Sequence, residues 1–172
     1  QQELVGENGI LRRIAASGNI PNMIFYGPSG VGKTTVARIL CGMTGKKLYK
    51  LNGTSASTAD IKEIIAGVGT LDALGGVVLY LDEIQYLNKK QQQSLLEYIE
   101  NGDITLIAST TENPYFYIYS AILSRCTVFQ FKPITRQDVS VAVRRAYRIL
   151  KEETGEALEV PDECIDYIAA VC

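Results

Sequence analysis

A glycine-rich segment at residues 27–34 has the composition of a phosphate-binding loop. It reads Gly-Pro-Ser-Gly-Val-Gly-Lys-Thr and matches the pattern GxxxxGK[ST] at every fixed position. Glycines allow successive backbone N–H groups to face one anion, and the helix expected after the loop adds its positive N-terminal end. The alternative is a glycine-rich turn without a function, against which the lysine and threonine in register argue. We expect nucleotide contacts from Gly27, Pro28, Ser29, Gly30, Val31, Gly32, Lys33, Thr34 and Thr35.

The last polar residues of this loop predict how ATP and Mg²⁺ are held. The ammonium group of Lys33 is expected to reach the β- and γ-phosphates, and the hydroxyl group of Thr34 is expected to be a Mg²⁺ ligand. Both roles need a loop that lies between a strand and a helix. The apolar run at 23–26 and the helical pattern at 34–41 supply that context.

An acidic pair, Asp82 and Glu83, follows an unbroken apolar run at 77–81. Asp82 is expected to hold Mg²⁺ largely through water, because Mg²⁺ keeps several of its waters in protein sites. Glu83, one residue further along, is expected to polarise the attacking water. A strand that ends in a polar turn is the alternative for this run alone. In combination with the loop, the pair predicts hydrolysis of ATP rather than phosphoryl transfer to a small acceptor.

The order of apolar runs and helical patterns along the chain is typical of an α/β fold with a parallel sheet. Ser57 and Asn88 are predicted to cap helices at 58–65 and 89–99. The run at 77–81 has no polar interruption, as expected for a central strand that is covered on both faces. The five predicted strands lie at residues 23–26, 48–52, 77–81, 104–109 and 127–131.

Beyond Pro133 only helical patterns remain. Thr135 is predicted to cap a helix with apolar residues at helical spacing, and Pro161 opens a second helix. We therefore predict an α/β domain at residues 1–132 and an incomplete helical domain at residues 133–172. The first of these helices has a basic side, expected to be a solvated face rather than a DNA groove, formed by Arg136, Arg144, Arg145 and Arg148.

Composition argues against several classes of protein. The net charge of −2 speaks against a wholly basic nucleic-acid-binding domain and leaves DNA contact to a local stripe or to other segments. No apolar run approaches the roughly 20 residues of a membrane span, and the start QQELVGENG does not resemble a secretory signal. We expect a cytoplasmic protein without membrane contact. Because there is no histidine and no CxxC spacing, free thiols rather than a zinc site are expected at Cys41, Cys126, Cys164 and Cys172.

Four motifs together resemble the AAA+ superfamily, and within it the clamp-loader clade: GPSGVGKTT, LYLDE, STTENP at 109–114 and SRC at 124–126. The spacing DE-x-x-x-x-N-K-x-Q-Q at 82–92, with TTENP-x-F at 110–116 and SAILSR at 120–125, is most similar to one family. This is the replication-associated recombination protein A family, also called MgsA, whose eukaryotic relative is the Werner-helicase-interacting protein. The resemblance implies a P-loop three-layer sandwich with a parallel five-stranded sheet of order 5-1-4-3-2, followed by the start of an all-helical lid.

The resemblance also implies roles for two residues that spacing alone would not single out. Thr111 matches sensor 1, a polar residue near the γ-phosphate and the attacking water; a hydroxyl-rich strand end is the alternative. Arg125 matches the arginine finger, which in such rings reaches the ATP of the neighbouring protomer and stabilises charge on the transferring phosphoryl group. A solvated arginine or a local salt bridge is the alternative for Arg125.

Other positions are matched by the family or depart from it. Asn52 is similar to a clamp-loader asparagine that holds the catalytic glutamate away until DNA binds, and a plain strand-end asparagine is the alternative. Gln85 stands where the family often has histidine, so no proton role is expected there. An unusually aromatic loop at 115–119 is expected to pack in the core or against a neighbour, with stacking on DNA bases as the alternative. The segment that lies against adenine in the family is matched by Leu4, Val5 and Gly6.

The function that the resemblance implies is an ATPase that uses ATP and Mg²⁺ for conformational work on DNA in replication-fork maintenance, recombination or repair. It also implies a homo-oligomer, a tetramer or other ring, which contacts DNA and replication proteins such as single-strand-binding protein, and which in a bacterium is nucleoid-associated. Two other functions stay open. A clamp-loader subunit of a hetero-oligomer is favoured by SRC and opposed by TTENP. An ATP-gated scaffold with little turnover is opposed by the intact Asp82–Glu83 pair.

Overall fold

The computed structural model describes residues 2–67, 76–155 and 160–171. The chain divides into two compact units, Gln1–Lys132 and Pro133–Cys172. Cys172, one of the thiols predicted to be free, lies outside the described residues.

The first unit contains a parallel sheet with helices on both faces. Its strands lie in the order β2-β3-β4-β1-β5, which confirms the predicted order, and every pair is parallel. The strands are β1 (Met23–Tyr26), β2 (Lys47–Asn52), β3 (Val77–Asp82), β4 (Ile104–Thr110) and β5 (Thr127–Gln130). The helices are α1 (Gln2–Val5), α2 (Ile10–Ala16), α3 (Lys33–Thr44), α4 (Thr58–Ala66), α5 (Lys89–Glu100), α6 (Pro114–Tyr117) and α7 (Ser120–Leu123), and a 3₁₀ turn spans Ile84–Tyr86.

Side chains of β3, an interior strand of the sheet, alternate between two apolar cores. Val77, Leu79 and Leu81 pack with α4 and α5 on one face. Val78 and Tyr80 pack with α2 and α3 on the other face. Because successive residues of a strand point to opposite faces, an uninterrupted apolar run needs cover on both. This layering leaves the C-terminal ends of the strands as the place where polar side chains can meet.

The predicted helix starts are present as hydrogen bonds. The Ser57 side chain accepts a hydrogen bond from the N–H of Asp60, whose carboxylate accepts one from the N–H of Ser57. The hydrogen bonds that the N–H and the hydroxyl of Ser57 donate to the Asp60 carboxylate hold the pKa of that carboxyl below its ordinary value. Asn88 and Gln91 form the same reciprocal pair. Such capping boxes satisfy N–H groups that the first helical turn leaves unbonded, and here they begin α4 and α5 where the sequence predicts.

The sequence does not predict the four shortest helices, α1, α2, α6 and α7. Each has only four to seven residues, too few to show a periodic apolar pattern.

Within the part of the chain that the structure describes, no helix is both long and apolar enough to cross a membrane.

The described part of the second unit contains two helices, α8 (Arg136–Thr154) and α9 (Asp162–Val171). Thr135 caps α8 through a capping box, as predicted. Arg136 donates a hydrogen bond of 2.9 Å to the carbonyl oxygen of Asp166, and Arg144 forms an ion pair with Asp162. The four arginines of the basic side are all exposed.

Candidate nucleotide-binding site

The loop at residues 27–34 connects the C-terminal end of β1 to the start of α3. Gly27, Gly30 and Gly32 have φ angles of 147°, 75° and 96°, which a residue with a Cβ atom rarely adopts. Gly27 is constrained a second time, because an added Cβ would lie 2.2 Å from the carbonyl oxygen of Phe131. At Gly30 and Gly32 an added Cβ would meet no described atom within 4 Å. The loop backbone there borders open space that a phosphate group could enter.

Lys33 is folded back onto this loop. Its Nζ donates hydrogen bonds of 2.6 Å to the carbonyl oxygen of Gly27 and 2.7 Å to that of Pro28. Burial lowers the pKa of the Lys33 ammonium group, and the nearby charges of Glu83 and Asp82 oppose that shift. The loop thus holds a buried cation beside two acidic side chains.

The loop and the acidic pair share one cavity of ≈ 260 Å³. Strands β1 and β3 are separated in the sheet only by β4, so their parallel order brings the residues that follow them to the same edge. The cavity combines a cation, hydroxyl groups, carboxylates and glycine backbone. It is lined by Ser29, Gly30, Gly32, Lys33, Thr34, Thr35, Asp82 and Glu83.

The donor set of this cavity fits a divalent cation that is shared with phosphate. The Thr34 hydroxyl and the Asp82 carboxylate are oxygen ligands of the kind that Mg²⁺ prefers, and two protein ligands leave positions for water and phosphate oxygens. Across residues 2–67, 76–155 and 160–171, no cluster of three or more His, Cys, Asp or Glu side chains could hold a metal ion. A cation in this cavity would therefore depend on the nucleotide for further ligands.

Two buried hydroxyl groups that the sequence analysis does not single out join Thr34 to Asp82. The Tyr80 hydroxyl lies 2.9 Å from Thr34 Oγ1, 2.9 Å from Ser109 Oγ and 3.2 Å from Asp82 Oδ1. Ser109 in turn donates a hydrogen bond to Asp82. Tyr80 precedes Asp82 by two residues on β3, so both side chains point to the same face, and this spacing is the one signal in the sequence.

The backbone of Glu83 adopts a left-handed conformation, with φ 53° and ψ 50°. Among the described residues it is the one non-glycine with a positive φ. Gly53, after β2, holds it there: its N–H donates a 2.7 Å hydrogen bond to the carbonyl oxygen of Asp82. A Cβ added at Gly53 would lie 2.2 Å from the carbonyl oxygen of Glu83. Such strained conformations persist when the surrounding structure imposes them, and they concentrate at functional sites.

The side chain of Glu83 contacts two polar residues. Gln85 donates a hydrogen bond to Glu83 Oε2, and Thr111 Oγ1 lies 3.4 Å from the same oxygen. The amide oxygen of Asn52 instead accepts hydrogen bonds of 2.9 and 2.8 Å from the N–H and hydroxyl of Thr54. The structure thus brings Gln85 to Glu83, and it shows Asn52 engaged in the turn that follows its own strand.

An apolar cavity of ≈ 560 Å³ adjoins the loop. Val5 lines it, Leu4 packs against the core below, and Gly6 accepts a hydrogen bond from the N–H of Gly9. Apolar walls with nearby backbone groups suit a purine ring. The lining is Val5, Leu11, Arg12, Ala15, Val31, Gly32, Thr35, Val36, Ile39, Leu40 and Met43.

Residues 23–134, which include both the loop and the acidic pair, match the model of the ATPase family associated with various cellular activities, AAA. The chain belongs to the AAA family.

Similar proteins include several named replication-associated recombination protein A. The one from Bacillus subtilis is 37% identical over 173 residues, 100% of this chain and 40% of that protein. ATPase WRNIP1 of Dictyostelium discoideum is 34% identical over 172 residues, 99% of this chain and 20% of that protein. These matches confirm the resemblance inferred from the motifs. The chain spans less than half the length of these curated relatives.

Among solved structures, the chain is similar to RuvB of Thermotoga maritima, a Holliday junction branch migration motor. The TM-score is 0.72, the sequence identity is 24%, and the match covers 92% of this chain and 52% of that chain. At this identity the likeness concerns the fold, and it agrees with the P-loop sandwich predicted from the sequence.

Arg125 is held by residues of its own chain in this AAA domain. Its guanidinium group donates a 2.8 Å hydrogen bond to the carbonyl oxygen of Ala121 and forms an ion pair with Glu100 at the end of α5. The two side chains are 39% and 44% exposed, and pairs of this kind contribute only about 0–1 kcal/mol to stability. The local salt bridge considered for Arg125 is therefore present, and it is weak enough to be exchanged for another anion.

The aromatic loop does not pack in the core. Tyr115, Phe116 and Tyr117 are 66%, 81% and 51% exposed. Core packing, one of the two uses expected from the sequence, is therefore wrong for these three rings, because α6 projects them outward. Tyr119 is half-buried, and the centre of its ring lies 5.4 Å from Nζ of Lys89.

Proposed function

We propose that this chain is a Mg²⁺-dependent ATPase domain that couples ATP hydrolysis to conformational work on DNA in replication-fork maintenance, recombination or repair. The observation that carries the proposal is the ≈ 260 Å³ cavity, which Lys33, Thr34, Asp82 and Glu83 line together. A buried cation, a glycine loop and two carboxylates in one cavity suit a nucleoside triphosphate with a divalent cation. Membership of the AAA family supports ATP as that nucleotide.

The side chains of the cavity have separate tasks in this proposal. Lys33 exchanges the loop carbonyl groups for phosphate oxygens. Thr34 and Asp82 hold Mg²⁺, which when bound neutralises charge on the β- and γ-phosphates. Glu83 polarises the attacking water as a general base, and Thr111 senses the γ-phosphate from beside it.

The DNA part of the proposal is supported by the relatives. Proteins whose names refer to replication and recombination match nearly the whole chain. The protein would act as a homo-oligomer, a tetramer or other ring, in which Arg125 reaches the ATP of the neighbouring subunit. DNA and replication proteins such as single-strand-binding protein would contact that assembly rather than one subunit.

ATP turnover by the longest form of the protein that the cell makes tests this proposal. It should be measured without DNA, with linear duplex and with forked DNA, each with and without Mg²⁺. We expect Mg²⁺-dependent turnover that forked DNA stimulates and that Glu83→Gln lowers by about 100-fold or more while ATP binding is kept. Tight ATP binding without turnover in the wild-type protein would favour the scaffold. Turnover that Glu83→Gln leaves unchanged would contradict the role of Glu83.

The mass of the protein in solution with ATP and forked DNA tests the assembly. A homotetramer or other homo-oligomeric ring supports the proposal. Copurification in a hetero-oligomer that loads sliding clamps would favour the clamp-loader subunit instead.

A further inference from the structure

Tyr80 occupies an unusual place for a core tyrosine, because its hydroxyl group ends between the two proposed metal ligands. The side chain is 1% exposed, and its ring packs in an apolar core with Phe25 and Val78. Its hydroxyl lies 2.9 Å from Thr34 Oγ1 and 3.2 Å from Asp82 Oδ1. A rigid ring in a packed core fixes the position of this hydroxyl group.

The hydroxyl protons of this cluster have one arrangement that uses its three shortest contacts. Each hydroxyl can donate once, and a carboxylate can only accept. Ser109 donates to Asp82, so Ser109 is left to accept from Tyr80, and Tyr80 is left to accept from Thr34. In this arrangement the Thr34 proton points at Tyr80, and the lone pairs of Thr34 are free for the cavity.

We propose that Tyr80 is a positioning residue for Mg²⁺ binding, which orients the hydroxyl of Thr34 and, through Ser109, the carboxylate of Asp82. This inference rests on the proposed function, since it concerns how the same cavity takes up its cation. Phosphate binding by the loop and by Lys33 does not involve Tyr80. Removing the hydroxyl group therefore affects the affinity for the metal much more than the affinity for metal-free nucleotide.

The test measures two affinities in Tyr80→Phe, with Mn²⁺ as the probe. Mn²⁺ uptake by the complex with ADP is followed by electron paramagnetic resonance, and ADP binding is measured separately in the presence of a chelator. We expect Mn²⁺ to bind about fivefold more weakly, the effect of one lost hydrogen bond, while metal-free ADP binding changes by less than about twofold. Tyr98→Phe, which removes a tyrosine hydroxyl from α5 on the other side of the sheet, is the matched control and should change neither affinity.

A second variant distinguishes a chain of hydroxyl groups from independent effects. Ser109→Ala should weaken Mn²⁺ binding to a similar extent. The double variant should bind Mn²⁺ about as tightly as either single variant, because both substitutions interrupt the same chain of hydrogen bonds. The Ser109→Ala variant also keeps the inference testable if Tyr80→Phe does not fold.

The outcomes separate this inference from the function on which it rests. Unchanged Mn²⁺ affinity in Tyr80→Phe, or equal losses with and without metal, would overturn the positioning role alone. A wild-type complex with ADP that takes up no Mn²⁺, or a Lys33→Ala variant that binds ADP as the wild type does, would overturn the proposed function and this inference with it.

Discussion

The side-chain amide of Gln85 donates a hydrogen bond to Glu83 Oε2, the carboxylate oxygen that also lies 3.4 Å from Thr111 Oγ1. Both partners therefore act on the same oxygen of the carboxylate. A carboxylate that is held in this way is preorganised to act on water, because its orientation does not have to be found again in each reaction. The strained backbone at Glu83 fixes the other end of the same side chain.

We predict that Gln85→Ala lowers kcat about tenfold while ATP binds with unchanged affinity, because the base loses its orientation but the phosphate contacts remain. Gln85→His keeps an N–H donor and should retain more activity than the alanine variant. The measurement is steady-state turnover together with equilibrium ATP binding. Faster turnover in Gln85→Ala would mean instead that the amide restrains Glu83.

Arg125→Ala should leave ATP binding intact and lower turnover of the oligomer by about 10³-fold, as expected for an arginine finger. Mixing this variant with Glu83→Gln tests action across subunits. Mixed assemblies contain interfaces with both an intact Arg125 and an intact Glu83, so partial recovery of turnover is expected. Strictly additive activity of the mixture would show that Arg125 acts within its own subunit.

Glu100→Gln is the companion test for the ion pair. It should leave stability within about 1 kcal/mol of the wild type, because exposed pairs contribute little. It should not lower turnover, because it releases the guanidinium group of Arg125. A large loss of turnover in Glu100→Gln would contradict an exchange of Glu100 for a phosphate group.

Gly53→Ala should destabilise the fold by about 3 kcal/mol, because its Cβ would meet backbone rather than a flexible side chain. The nearest atom, the carbonyl oxygen of Glu83, would lie only 2.2 Å away. Gly42→Ala is the matched control, since Gly42 lies in α3 and an added Cβ there would meet no described atom within 4 Å. It should stabilise by about 0.5–1 kcal/mol through helix propensity. Urea unfolding measures both, and equal effects would refute the close contact.

Lys33→Met should change how stability depends on pH. Burial lowers the pKa of Lys33 below its ordinary value of 10.5 in the folded state, so the unfolded state binds the proton more tightly. Between the lowered pKa and 10.5, the contribution of Lys33 to the free energy of unfolding of the nucleotide-free wild type therefore rises with pH, and below that window its burial penalty is fully present. The methionine variant lacks this contribution. When urea unfolding is measured across this window, plots of the free energy of unfolding against pH should converge or cross for the two proteins. Parallel plots would contradict the lowered pKa of Lys33.

Among the three cysteines that the structure describes, alkylation should separate the exposed thiol from the two thiols whose pKa is raised. Burial raises the pKa of the Cys126 thiol to about 12 and also raises the pKa of Cys41, whereas Cys164 is exposed. Because the thiolate is the reactive form, iodoacetamide at mildly alkaline pH should modify Cys164 first and Cys126 much more slowly. Mass spectrometry of the labelled peptides reads the order, and unfolding in urea should remove it. Equal rates in the folded protein would show that the Cys126 thiol is not shielded from solvent.

Local signals account for most of what the sequence predicts correctly. A capping box needs only residues three apart, so Ser57, Asn88 and Thr135 are recognisable from the sequence alone. The phosphate loop and the acidic pair are likewise short and contiguous. The strand order comes from the family resemblance, because no pattern within a strand states which strand lies beside it.

The features that the sequence does not reveal depend on distances between elements. Ser109 meets Asp82 because β3 and β4 pair in a register that no local pattern specifies. Gln85 reaches Glu83 because a 3₁₀ turn follows directly, and a three-residue turn has no periodicity. The ion pair of Arg125 requires the end of α5 to lie beside α7. In each case the two side chains could have found other polar partners, and the packing of the elements selects this one.

The contact between Gly53 and Glu83 joins the edge of the sheet to the centre of the site. β2 is an edge strand, and the turn that begins at Gly53 touches the backbone of Glu83 with no space between them. A molecule that pulls or presses on this turn would therefore move the backbone of Glu83, the residue proposed to activate water. This contact is made by backbone atoms of both residues, so a change of side chain along β2 would leave it intact.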